Sequence, residues 1–194
     1  AQVVGSDRDS IEAVTLGEID MTSVAELQFA PNIKEFYVFN ADYLFDDLKD
    51  AKAKLDGEQG DLLKKAADDK NMGVKVAAFF GSSGRIFWNN VREVNTLADF
   101  QGIKSRAPEN PINIAELEAL GCIPTPMAWN ELYTGLQQGT VDGLVSSKMP
   151  IIQQGLIDVL KYATDTNHSY SINVILISSA KYNSFSEEQR AAYD

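Results

Sequence analysis

The sequence is poor in the residues that most often carry chemistry. It has one cysteine, Cys122, and one histidine, His168. A single cysteine excludes an intrachain disulfide and any metal site built on cysteines. A single histidine means that a Ser/His/Asp or Cys/His nucleophile would have to centre on His168. Its neighbours Asn167, Ser169 and Tyr170 form no nucleophile elbow, and G-x-S-x-G is absent. G-x-G-x-x-G and G-x-x-x-x-G-K-[ST] are absent too, so neither common glycine-rich phosphate cradle is present. Basic residues are outnumbered, 17 to 28, which leaves a net charge of −11. Phosphate neutralisation needs a Lys/Arg stripe, so no nucleic-acid partner is expected, and an anionic membrane surface is disfavoured. No apolar run approaches the ~20 residues of a bilayer span, so no membrane insertion is expected. No signal-peptide pattern opens the chain. The first residues, AQVVGSDRD, do not look like a natural start, and a mature or cut chain is expected.

What is present is a globular composition, 44% hydrophobic and 23% charged, enough for one or two domains with a real core. Ser6 or Asp7 can cap a helix through Ile11, Val14 and Leu16 that Gly17 stops. Ile19–Val24 reads as a short strand, and residues 31–45 as mostly loop. Asp46 or Asp47 starts a helix reaching Leu55, and another covers about 58–70. Val74–Phe80 is a strong strand. Gly81-Ser82-Ser83-Gly84 reads as a flexible break, after which residues 85–90 return as a strand. Thr96–Phe100 is a helical turn and 103–106 a strand. Pro111 starts a helix ended by Gly121, and Asn130 caps one ended by Gly139. A strand around Val141 follows, then mixed helix over 151–160, a strand over 171–178, and a last helix capped by Ser184 or Ser186. Strands alternating with helices predict an α/β fold with mostly parallel sheets.

One internal echo stands out: Leu16-Gly17-Glu18-Ile19-Asp20-Met21 against Gln138-Gly139-Thr140-Val141-Asp142-Gly143. Each reads as a helix end, a Gly stop and a strand whose far end is rich in small polar residues (Thr22, Ser23; Ser146, Ser147). Ligands of open α/β sheets bind beyond the carboxyl ends of strands, so two such units suggest two lobes facing a cleft. Helix-Gly-strand is also the ordinary connector of any α/β protein.

With nucleophiles, metals and phosphate loops set aside, arginine remains. Arg106 ends a predicted strand, and Arg85 follows the Gly-Ser segment. A guanidinium is always charged and is costly to bury unpaired. At a strand end facing a cleft it would take a carboxylate in a bidentate fork. A salt bridge to one of the many Asp or Glu residues is the structural alternative. Spacing favours that alternative for Arg85 and leaves both readings open for Arg106. Asp46, Asp47 and Asp50, among Lys49, Lys52 and Lys54, read as a solvated helix face. His168 reads as a packed or hydrogen-bonded structural residue.

The segment IKSRAPENPINIAELEALGCIPTPMAWNELYTGLQQGTVDG closely resembles the periplasmic substrate-binding subunits of tripartite ATP-independent periplasmic (TRAP) transporters, the DctP-type family. The shared pattern stands here in order. It comprises Arg106, Pro108-Glu109-Asn110-Pro111, Ala119-Leu120-Gly121 and Pro124-Thr125-Pro126-Met127, then Glu131-Leu132-Tyr133-Thr134-Gly135-Leu136-Gln137-Gln138-Gly139 and Val141-Asp142-Gly143. Flanking stretches agree: Gly5-Ser6-Asp7-Arg8 with Glu12, Tyr43-Leu44-Phe45 and His168-Ser169-Tyr170. The likeness covers essentially the whole chain.

The resemblance implies a two-lobed periplasmic-binding-protein-like α/β architecture, with a cleft that closes on an organic acid, and no catalysis or cofactor. It puts lobe 1 at residues 1–82 and 171–194 and lobe 2 at 83–170. Arg106 would grip the ligand carboxylate and Arg85 would assist, the guanidinium of Arg106 being kept for the ligand. The partners would be a mono- or dicarboxylate ligand and the TRAP membrane subunits, and the location periplasmic. Where the family usually has Q-E-N-P after V-D-G, this chain has Leu144-Val145-Ser146-Ser147, so Ser146 stands in the place of a ligand-touching Asn. A hydroxyl is shorter than an amide, which makes the pocket roomier and puts a small dicarboxylate in doubt. Trp129 and Trp88 are candidate cleft walls, with core packing the equal alternative for Trp129, and Glu26, with Thr22 and Ser23, can meet polar ligand groups. Met127 and Tyr133 read as packing residues. The pattern is cut at both ends: an opening strand with its helix, and the closing helices, are missing, from which marginal stability is expected. An α/β enzyme acting on an organic acid in the same cleft is the alternative function. A receptor for a signalling protein is a third.

Overall fold

The computed structural model describes residues 5–193. In chain order the elements are α1 (Asp7–Leu16), β1 (Met21–Ala25), α2 (Glu26–Phe29), α3 (Leu48–Leu55), α4 (Glu58–Lys70), β2 (Val74–Asn89), β3 (Lys104–Ala107) and α5 (Pro111–Ala119). There follow β4 (Ile123–Pro126), α6 (Leu132–Gln137), β5 (Gly143–Ser146), α7 (Lys148–Gln153), β6 (Tyr162–Ser178), α8 (Ser179–Asn183) and α9 (Glu187–Tyr193). Short 3-10 segments lie at Lys34–Asn40, Leu97–Phe100, Trp129–Glu131 and Leu156–Asp158. The chain forms two compact units, Ala1–Gly81 with Ile172–Asp194, and Ser82–Ser171.

In the first unit, Ser6 caps α1 through a reciprocal box with Asp9, and Gly17 ends it in the left-handed region at φ 76°. Asp47 caps α3 by accepting from the Asp50 amide. β1 pairs antiparallel with the last part of β6, from Met21↔Ile177 to Ala25↔Asn173, and β6 neighbours β2. Residues 31–45, expected as loop, hold a 3-10 segment whose aromatic residues build core. Phe36 is fully buried and meets Phe29 edge-on at 5.0 Å between centroids, and Phe79 of β2 at 6.1 Å.

In the second unit the strand order is β2-β5-β3-β4. β3 runs parallel to β4 and β5, whereas β2 is antiparallel to β5, so the pairing is mixed rather than mostly parallel. β4 carries Pro124 and Pro126 and lies at the end of that order, where a missing amide costs no ladder bond. Two apolar clusters form on opposite faces, because side chains alternate along each strand. One holds Ile86, Trp88, Leu132, Leu136, Val141, Leu144, Ile151 and Leu156. The other holds Phe87, Val94, Phe100, Ile103, Ala107, Leu117 and Cys122.

Three expectations are corrected. Gly81–Gly84 is no break: β2 runs unbroken for 16 residues. Extended backbone is available to Gly and Ser, and β-favouring residues flank them on both sides. Gly84 serves a close approach, since a Cβ there would lie 2.0 Å from Oδ1 of Asn167. β6 begins at Tyr162, not near 171. Its polar first half is held by hydroxyls, Thr164 Oγ1 donating to the Val94 carbonyl at 2.9 Å and Thr166 Oγ1 to that of Arg85 at 3.2 Å. Asn130 does not cap α6, which instead grows out of the 3-10 turn Trp129–Glu131 with Glu131 at its start.

Candidate functional site

Strand register gathers the site of the second unit. Arg106 is opposite Leu144 across the β3–β5 pair, and Ser146 is opposite Ile86 across the β5–β2 pair. Arg106 and Ser146 therefore stand near the carboxyl ends of adjacent parallel strands, where open α/β sheets place ligands. Alternation sets the face. Leu144, Ile86 and Trp88 belong to one cluster, so Ser146, two residues from Leu144, shares their face, and so does Arg106 at Leu144's register. Ala107 and Phe87 belong to the opposite cluster, so Arg85, two residues from Phe87, lies on that other face.

Arg106 is 7% exposed. Its Nε donates to the main-chain oxygen of Met127 at 2.9 Å, and its guanidinium carbon lies 5.5 Å from the Trp129 ring centroid. Both partners come from the segment after β4. The Met127 amide donates to the Ala107 carbonyl at 3.1 Å, which extends the β3–β4 ladder by one residue. Met127 packs against the cluster, as expected, and Gly135 of α6 makes room for it: a Cβ there would lie 2.8 Å from the Met127 sulfur. Trp129 is half-buried against the same cluster. Tyr133, expected to pack, is 40% exposed.

Ser146 is 8% exposed. Its carbonyl accepts a hydrogen bond from Trp88 Nε1 at 3.0 Å. Trp88 is therefore a core residue that fixes the Ser146 main chain, not a cleft wall. α5 begins five residues after Arg106, with Asn110 as its cap accepting from the Ile112 amide at 2.9 Å.

Arg85 sits instead in a polar cluster that sequence reasoning missed. His168 Nε2 lies 3.2 Å from Glu116 Oε1, Thr166 Oγ1 lies 2.7 Å from His168 Nδ1, and Asn113 Nδ2 donates to Glu116 Oε2 at 3.2 Å. Burial opposes ionisation of Glu116, but the His168 hydrogen bond and charge, Asn113 and the Arg85 charge outweigh it, and its pKa lies below the ordinary 4.5. His168 is thus a hydrogen-bonded structural residue. No linear signal joins it to Glu116, 52 positions earlier; only the position of β6 does.

In the first unit, Glu26 opens α2 directly after β1 and is 1% exposed. Of its neighbours on β1, Thr22 is half-buried and Ser23 exposed. The echoed stretches match in structure: Gly17 and Gly139 are both left-handed, at φ 76° and 71°, and lead into β1 and β5.

Residues 2–194 match the family of bacterial extracellular solute-binding proteins, family 7, known as DctP. The chain belongs to the DctP family. A solute-binding protein of Verminephrobacter eiseniae is 34% identical over 190 residues, 98% of this chain and 56% of that protein. The 2,3-diketo-L-gulonate-binding periplasmic protein YiaO of Escherichia coli is 32% identical over 97% of this chain and 57% of its own length. Among solved structures, the sugar acid binding protein DctPAm of Advenella mimigardefordensis, in complex with galactonate, superposes with a TM-score of 0.91 at 30% identity. It is covered for 61% of its length by 98% of this chain. The DctP-family chain thus spans a little over half the length of these two sequence relatives. These three relatives are binding proteins. Among the described residues no helix is long and apolar enough to cross a membrane.

Proposed function

We propose that the protein is a periplasmic receptor for a carboxylate-bearing organic acid, which it hands to TRAP membrane subunits without chemical change. The observation that carries this reading is Arg106. It is a buried guanidinium near the carboxyl end of β3, braced by the Met127 carbonyl and the Trp129 ring. A permanent charge at such a position suits a planar anion, because a guanidinium and a carboxylate form two parallel charge-assisted hydrogen bonds.

The acid we propose is a polyhydroxylated monocarboxylate. Two of the relatives named above, YiaO and DctPAm, bind 2,3-diketo-L-gulonate and galactonate. Ser146 provides a short hydroxyl where the family pattern has an amide, which suits a bulkier, hydroxyl-rich cargo. Glu26, a buried carboxylate of the first unit, is proposed to accept hydroxyl donors and to disfavour a second anionic group. Arg85 adds positive potential from the opposite sheet face, where Glu116 is its counter-charge.

Calorimetric titration with D-galactonate and succinate tests this. The expected order is galactonate well above succinate. Arg106→Ala should weaken galactonate binding by about 2–5 kcal/mol, the cost of removing one half of a buried charge pair. Lys at that position should recover only part of the loss, having no fork. Wild-type affinity in the Ala variant overturns the role of Arg106. Conversion of the acid during incubation would favour the alternative, an enzyme acting on an organic acid.

A further inference from the structure

We propose that Thr125 is a specificity-determining residue of the Arg106 site. Its hydroxyl binds the oxygen on C2 of the acid, the carbon next to the carboxylate. The proposal rests on the reading of Arg106 as the carboxylate anchor.

Register places Thr125 at the site. It is opposite Arg106 across the parallel β3–β4 pair, as Leu144 is across the β3–β5 pair. Directly opposite residues of neighbouring strands share a face and stand about 4.8 Å apart. Alternation agrees: Met127, two residues beyond Thr125, packs against the cluster that holds Leu144. Ile123 and Met127 flank Thr125 on that face, so its hydroxyl is the polar group there.

The two strand neighbours of Arg106 differ in character. Leu144 is fully buried among hydrocarbon. Thr125 is half-buried, and its Oγ1 makes no hydrogen bond among the described residues. That atom is not occluded, so solvent or a ligand reaches it. A carboxylate held by Arg106 has its next carbon within one strand spacing of both neighbours. The polar, accessible side is that of Thr125. A hydroxyl both donates and accepts, so it takes either a hydroxyl or a keto oxygen at C2. Threonine is also an ordinary strand residue, but valine, of nearly the same shape, serves a strand equally well. The hydroxyl is the part that the strand does not require.

The test crosses Thr125→Val in the protein with removal of the 2-hydroxyl from the ligand. The probes are D-galactonate and 2-deoxy-D-galactonate, titrated by calorimetry. The unaltered protein should bind galactonate about 5-fold or more tightly than the 2-deoxy acid. In the Val variant that ratio should collapse to about 2-fold or less, because the contact is already gone. Thr125→Ser keeps the hydroxyl and should hold the ratio within about 3-fold of the unaltered protein's. If the Val variant fails to fold, Thr125→Ala replaces it, judged by the same ratio. A ratio that survives the loss of the hydroxyl overturns the proposal and leaves Thr125 a packing residue. Equal affinity of the unaltered protein for the two acids overturns the contact at C2 while the receptor reading stands. Binding of neither acid overturns the hydroxyl-rich cargo and this contact with it.

Discussion

Trp88, on β2, sends its indole N–H past Leu144, the residue opposite it on β5, to the main-chain oxygen of Ser146 at 3.0 Å. That bond ties the last residue of β5 to the centre of the apolar cluster beneath it. Trp88→Phe keeps a ring in the core and removes the donor, leaving a buried carbonyl without this partner. Denaturant unfolding should show a loss of about 1–3 kcal/mol. Equal midpoints for the two proteins would show that the bond contributes nothing net.

Gly143 and Gly84, two of the close-packed glycines of the second unit, should respond differently to alanine. At Gly143 a Cβ would meet the Trp88 carbonyl at 2.3 Å, which is backbone inside the β2–β5 ladder and cannot step aside. At Gly84 it would meet the exposed side chain of Asn167 at 2.0 Å, which can swing into water. Gly143→Ala should therefore cost about 1–3 kcal/mol or more, and Gly84→Ala well under about 1 kcal/mol. Comparing the two melting curves checks the contrast, and equal losses would contradict it.

Glu116→Gln should destabilise the protein near neutrality and much less in acid. The folded-state pKa of Glu116 is depressed below 4.5. Its charge therefore stabilises the fold above that value, and the contribution disappears as the pH falls through the lower folded-state pKa. Unfolding curves for both proteins at neutral pH and at successive values below 4.5 should converge on acidification. A gap that stays constant would assign the effect to packing instead of charge.

Cys122 should be chemically silent in the native protein. Its thiol is 6% exposed, and burial raises its pKa to about 11, with Arg92 acting weakly in the other direction. The reactive thiolate is therefore scarce at mildly alkaline pH. Alkylation followed by mass spectrometry should show negligible labelling until denaturant is added, then complete labelling. Rapid labelling without denaturant would mean that the cluster around Phe100 and Leu117 opens readily.

Local signals made much of this fold legible in the sequence. The caps Ser6 and Asp47 and the left-handed stop Gly17 lie where side-chain chemistry predicts them, because a cap is decided within a few residues. Elements decided by distant partners were harder. The run Tyr162-Ala163-Thr164-Asp165-Thr166-Asn167-His168 has little apolar content, yet every second residue turns inward, where Thr164 and Thr166 make hydrogen bonds. Its two-residue alternation was the available signal, carried by hydroxyls instead of hydrocarbon. β4 was hidden by its prolines. Arg106 was visible at a strand end, but its brace was not, since a main-chain oxygen 21 positions away has no side-chain signature. The separation of Arg85 and Arg106 onto opposite faces needs the register of three strands, which spacing along the chain does not contain.

The unit Ser82–Ser171 is one uninterrupted stretch, whereas the other needs both Ala1–Gly81 and Ile172–Asp194. During synthesis, the part bearing Arg106, Trp129 and Ser146 thus has all its residues while its companion still awaits the final run of β6, the partner of β1. A nascent chain would then have the second unit's residues in hand before the β6 segment that pairs with β1 has been made.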